Sequence, residues 1–207
     1  MIVIVDYGMG NAGSILNRLK RMDAEALVSS EAEDLARADK IILPGVGHFA
    51  TGMDNLKRYG LLTMLEKKVM KEKVPVLGIC LGMQLFTRKS EEGNADGLQW
   101  IDAETKRFEF KMSNIDLRIP HMGWKTIEKK RDCAILDGLS ADAEFYFLHS
   151  YHVCCREVSD IVATTRYGYD FASVIQKGNI FGSQFHPEKS HQDGITVLRN
   201  FVERAWL

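Results

Sequence analysis

A chain of 207 residues, 45% of them hydrophobic, is long enough to bury a substantial core. A formal net charge of −1 removes the electrostatic case for nucleic acid or an anionic membrane surface as partner. Four cysteines at 80, 133, 154 and 155 form no CxxC pair, which reads as a reduced, cytoplasmic chain.

The opening "MIVIVDYG" reads as a strand rather than a signal peptide, and no apolar run approaches the roughly 18 residues of a membrane span. "IVIV" (2–5) is uniformly apolar and β-branched, as expected of a strand buried on both faces. After the turn "DYGMGNAG", Ile15, Leu16, Leu19 and Met22 recur at helical spacing. "EALV" (25–28) is a second strand, and Ser30 with Glu33 forms a capping-box signature before a short helix. "KIIL" (40–43) is a third strand; Met53, Leu56, Leu61, Leu65 and Val69 mark one or two helices. "PVLGI" (75–79) is the fourth strand, with a helix expected from Leu81 to about Arg88. This alternation predicts an α/β fold with an open, doubly wound, mostly parallel sheet.

Beyond residue 100 the pattern changes. "FYFLHSYHV" (145–153), "DIVATT" (160–165), "SVIQK" (173–177) and "IFGSQF" (180–185) read as strands, the last two joined by a hairpin through Gly178 and Asn179. Ile195, Leu198, Phe201, Val202 and Ala205 mark a final helix from about His191. The expectation is one domain spanning 1–207, with antiparallel additions in its second half.

Three stretches carry chemistry. In "GICLG", Cys80 follows a strand of the parallel sheet and precedes a helix, between Gly78 and Gly82 that let the backbone bend. That is the layout of a nucleophile elbow, and the helix N-terminus would favour the thiolate. A buried cysteine in a tight turn is the other reading. In "QFHPEKS", His186 and Glu188 are two apart at a strand end, so they face the same way in extended chain. The carboxylate could then orient the imidazole as a base. A solvent-facing pair is the alternative. In "LPGVGHF" (43–49), glycines flank Val46 after another strand, where a free amide could face a developing oxyanion beside that of Leu81. His186, Glu188 and His191 do not have a familiar zinc spacing, and no metal or cofactor is expected.

Together "GICLGMQ", "PGVG" and "FHPEKS" resemble the class I (triad) glutamine amidotransferases across the whole chain and in the family's order. "IPHMGW" (119–124) and "FYFLHSY" (145–151) are similar to the branch that supplies ammonia to a cyclase in histidine biosynthesis. The resemblance implies a flavodoxin-like fold and hydrolysis of L-glutamine to glutamate and ammonia. It implies Cys80 as nucleophile, His186 as general base and acid, and Glu188 as its orienter. The oxyanion would be held by Leu81 and by an amide of Gly45 or Val46; Gly47, Gln84, His149, Ser150 and Tyr151 would hold the substrate. The chain offers no acceptor for the ammonia, so the resemblance implies a synthase partner, a HisF-type (β/α)8-barrel cyclase. Trp124 and Lys189 are candidates to face it. A paralogue serving a surface-sugar amidating synthase, or a non-catalytic subunit of the same fold, would share these motifs.

Overall fold

The short apolar runs near the start of the chain lie side by side. In the computed structural model, which describes residues 1–110 and 117–204, β1 (Ile2–Val5), β2 (Ala26–Ser29), β3 (Lys40–Leu43) and β4 (Val76–Ile79) run parallel. Between them lie α1 (Ala12–Lys20), α2 (Ala32–Ala36), α3 (Phe49–Arg58) and α4 (Leu62–Glu66). Side chains alternate across a strand, so one face of β1 gives Ile2 and Ile4 to a core shared with Ile15 and Leu19 of α1. The other face gives Val3 and Val5 to a core shared with Phe49, Leu56 and Leu65. That two-sided burial is why these strands carry no polar alternation.

The helix after Cys80, α5, spans only Leu81–Gln84 rather than reaching Arg88. The Thr87 amide and hydroxyl both donate to the Gln84 carbonyl, at 3.0 and 2.8 Å, and turn the chain away. The small strands β5 (Lys89–Ser90), β6 (Ala95–Asp96) and β7 (Ala103–Arg107) follow. Then come β8 (His121–Thr126), β9 (Glu128–Lys129), β10 (Glu144–His149) and β11 (Tyr151–Cys155). The chain ends in β12 (Ile161–Tyr167), β13 (Tyr169–Lys177), β14 (Ile180–Ser183) and α6 (His191–Glu203). Ala205 lies outside the described residues.

The main sheet has the order β2-β1-β3-β4-β14-β13-β12-β9. β14 continues the parallel set beside β4, and β13, β12 and β9 extend it by antiparallel pairing. The result is the expected α/β doubly wound sheet with antiparallel additions. Since β14 lies beside β4, the residues after Ser183 emerge at the same sheet end as Cys80, whose amide donates to the Ser183 carbonyl at 2.8 Å.

Two local expectations change. The capping box fails because α2 begins one turn position later. Ser29, not Ser30, accepts from the Glu31 amide at 3.0 Å and donates to Asp34 at 2.6 Å. "FYFLHSYHV" is not one strand either: it breaks at Ser150. β10 pairs with β8, and β11 joins the sheet β11-β7-β5-β6. His149 and His152 both pack on Phe108, with ring centroids 5.2 and 4.7 Å away.

Glycine positions give a stability test. A Cβ on Gly82 would lie 1.8 Å from the Leu43 carbonyl oxygen, whereas one on Gly13 in α1 would meet nothing within 4 Å. Gly82→Ala is expected to cost about 3 kcal/mol or more, and Gly13→Ala to stabilise by about 0.5–1 kcal/mol, in chemical denaturation.

Candidate active site

β4 delivers Cys80 to the carboxyl end of the parallel strands, where open α/β sheets bind ligands. Cys80 itself carries the strain of the turn, with φ 53° and ψ −108°. A non-glycine residue held there costs about 1–3 kcal/mol, a feature typical of functional turns. Gly78 and Gly82 serve differently from the expected bending, since neither adopts left-handed backbone. They are needed for close approach: a Cβ on Gly78 would sit 2.5 Å from the Phe86 ring, and one on Gly82 inside the β3 backbone. With only one turn of helix behind it, α5 supplies little macrodipole, so the sulfur depends on side chains.

His186 leaves the end of β14 and is held from both sides. Its amide donates to the Tyr146 carbonyl at 3.0 Å, and its carbonyl accepts from the Ser190 hydroxyl at 2.6 Å. Pro187 then opens a short 3₁₀ turn over Pro187–Lys189. This turn, rather than extended chain, brings Glu188 back, and its Oε1 lies 3.0 Å from His186 Nδ1. α6 can pack on the turn because Gly194 has no Cβ; one there would lie 2.0 Å from the Pro187 carbonyl. The other oxygen of Glu188 has no hydrogen-bond partner among the described residues.

Burial opposes charge on His186, which is 2% exposed. That penalty is outweighed by the charge and hydrogen bond of the Cys80 sulfur, then by Glu188, so the imidazole is raised to about 10. His186 thus couples to both Cys80 and Glu188, and both partners favour its charged form. Gln184, not foreseen from the sequence, places Nε2 3.6 Å from the Cys80 sulfur.

A cavity of about 230 Å³ opens beside the sulfur, lined by Val46, Gly47, Cys80, Leu81, Gln84, Glu92, Pro120, Leu148, His149, Ser150 and Tyr151. Two grooves of about 450 and 540 Å³ lie elsewhere on the molecule and contain none of these three residues. The cavity gathers the residues expected to touch substrate except Gly45, which is not among its lining. The Gly45 carbonyl accepts from the Leu81 amide at 3.3 Å, so that amide is already paired and the loop turns an acceptor toward it. Tyr7 braces that loop, donating to the Pro44 carbonyl at 2.6 Å. Val46 is 43% exposed at the cavity mouth.

Gln84 is almost wholly buried and donates to the Tyr151 carbonyl at 2.9 Å. His149 Nδ1 lies 2.8 Å from the same carbonyl and Nε2 lies 3.0 Å from His121 Nδ1. Burial pushes His149 well below the ordinary imidazole range, and pushes His121 and His152 down to about 4, so His149 on the cavity wall and His121 behind it pair as neutral rings. Glu92 was also not foreseen. It lies on the wall and caps α3, accepting from the Phe49 amide at 2.7 Å. Its only sequence signal is an acid within "SEEGN" after the elbow, which also reads as a plain surface run.

Comparison with known proteins agrees with this geometry. Residues 3–205 match the family model described as glutamine amidotransferase class-I. A Methanococcus maripaludis protein named imidazole glycerol phosphate synthase subunit HisH 2 is 48% identical, covering 99% of this chain and 100% of that one. A Pseudomonas aeruginosa protein of the same name is 45% identical, over 98% and 99%. The HisH subunit of Leptospira interrogans is 44% identical, over 98% and 99%. Among solved structures, a glutamine amidotransferase matches with a TM-score of 0.72 at 22% identity, over 98% of both chains, and speaks for the fold alone.

Two outcomes follow for the thiol and the ring. Burial raises the thiols of Cys133, Cys154 and Cys155, the last to about 12. A small haloacetamide at neutral pH should therefore modify Cys80 first, read by peptide mapping. Because His186 is raised above its ordinary 6.5, its contribution to stability is full below that value and is lost as pH rises through about 10. Imidazole NMR should show His186 charged across neutrality, and Cys80→Ala should move its titration to lower pH.

Proposed function

The chain belongs to the glutamine amidotransferase class-I family, and from that premise we propose that it is the glutaminase subunit of an imidazole glycerol phosphate synthase, acting in histidine biosynthesis. The observation that carries the reading is the His186 ring shared between the Cys80 sulfur and Glu188 beside the cavity.

In this reading the Cys80 thiolate attacks the side-chain amide carbon of L-glutamine. The carbonyl oxygen becomes an oxyanion, held by the Leu81 amide and an amide of the Gly45–Val46–Gly47 loop. His186, already charged, gives its proton to the departing nitrogen, and ammonia leaves a glutamyl thioester. Water attacks the thioester with neutral His186 as base, and glutamate is released. Glu188 keeps the ring oriented and offsets its charge. Gln84, His149, Ser150 and Tyr151 hold the amino-acid end of the substrate, and Glu92 offers a carboxylate for its ammonium group.

The ammonia needs an acceptor. A HisF-type barrel cyclase is the partner proposed, docking over the cavity mouth, with the complex in the cytoplasm. Met122 and Trp124 on β8, 67% and 38% exposed, and Val46 offer apolar surface there. Lys189 lies over the Tyr146 ring at 5.9 Å and adds a cation beside them. With the Gly45 carbonyl on the Leu81 amide, the free chain should be slow, and docking should favour the peptide turned over. A second reading uses the same Cys80, His186 and Glu188: a paralogue that supplies a surface-sugar amidating synthase instead.

Steady-state glutamine hydrolysis separates these. The rate should rise at least about 100-fold with the cyclase and its ligand, the effect of one restored oxyanion donor. A rise only with a sugar-amidating synthase selects the second reading. A full rate alone contradicts the closed loop. His186→Ala should abolish turnover, Glu188→Gln should lose less, and Glu92→Gln should raise KM with little change in kcat.

A further inference from the structure

The geometry points to Gln184 as a further catalytic residue, a side-chain amide donor that holds the Cys80 sulfur as thiolate. This inference rests on the glutaminase reading above and adds a group to its site. Gln184 is fully buried at the end of β14, with its backbone amide tied to the Ser173 carbonyl at 2.9 Å. It does not line the substrate cavity.

The direction in which its amide faces follows from a chain of hydrogen bonds that begins at a backbone group. The Tyr151 carbonyl can only accept, so the Gln84 atom 2.9 Å away is the amide nitrogen. That nitrogen has a second proton, and 3.1 Å away it meets the side-chain amide of Gln184, which must present its oxygen. The Gln184 nitrogen is then turned to the sulfur at 3.6 Å. Reversing Gln184 would set two nitrogens against each other in a buried site and leave donors unpaired, a costly arrangement in the interior.

The neighbours of the sulfur divide by protonation state. The thiol form can donate to the Leu148 carbonyl, 3.8 Å away. For the thiolate that carbonyl is an unfavourable neighbour, and stabilisation must come from donors. His186 is one and gives up its proton during the reaction. Gln184 is the other and keeps its protons throughout, so it supports the thiolate both before attack and when the thioester is hydrolysed. With α5 reduced to a single turn, no long helix dipole does this work.

The test compares the native chain with Gln184→Met, which conserves shape and removes the donor. Two readouts are the rate of Cys80 alkylation by iodoacetamide across pH, and kcat and KM for glutamine with the synthase present. A native chain that neither alkylates selectively at Cys80 nor hydrolyses glutamine refutes the glutaminase reading itself. Given a working native chain, Gln184→Met should alkylate about tenfold more slowly at neutral pH, as expected for loss of a hydrogen bond to a charged group. The profile should move to higher pH and kcat should fall; KM should rise as well, because Gln84 on the cavity wall loses its acceptor, so the alkylation profile is the deciding readout. A folded variant with the native alkylation profile overturns the proposal. Should the variant not fold, side-chain NMR of the native chain decides. The Gln184 amide protons should shift when Cys80 is alkylated and at Cys80→Ser, and an unmoved signal overturns the proposal.

Discussion

One contact between backbones organises this molecule: the elbow after β4 is pressed against the end of β3. Gly82 lies so close to the Leu43 carbonyl that no side chain fits between them, and a Cβ on Gly45 would lie 2.8 Å from the Gly82 nitrogen. The approach forces the strained backbone at Cys80 and turns its side chain to the open end of the sheet. It also lays the Gly45 carbonyl on the Leu81 amide. The same packing therefore sets Cys80 on the wall of the cavity and occupies the Leu81 amide beside it.

Charge is arranged around that frame at low dielectric. His186 and Glu188 are both buried, and a buried ion pair earns stability only with good geometry and further hydrogen bonds. Here the backbone of His186 is clamped by Tyr146 and Ser190, while Gly194 lets α6 close over the turn. Burial lowers the pKa of the other three buried histidines; of these His149 lines the cavity and His121 bonds to it, while His152 is held by Tyr169.

Much of this was legible in the residue order, where local chemistry decides. Two-sided apolar runs announced the parallel strands, and the elbow and "FHPE" announced the connected Cys80, His186 and Glu188. What escaped depends on which groups meet once the chain is folded. The break at Ser150 follows from β10 and β11 finding different partner strands. The early end of α5 follows from Thr87 competing for the Gln84 carbonyl. The glycines beside Cys80 were read as hinges and are spacers, a difference only the neighbours reveal. Gln184 and Glu92 carry no periodic signal, and their roles come from Gln84 and Phe49, 100 and 43 positions away in sequence respectively.

The central claim is that Cys80 carries the glutamyl group, and trapping that group is the direct measurement. Hydroxylamine supplied with glutamine and the docked synthase attacks a thioester, giving γ-glutamyl hydroxamate and returning the thiolate. The account predicts hydroxamate from the native chain and none from Cys80→Ala. Hydroxamate formed at the native rate by the Cys80→Ala chain would contradict it.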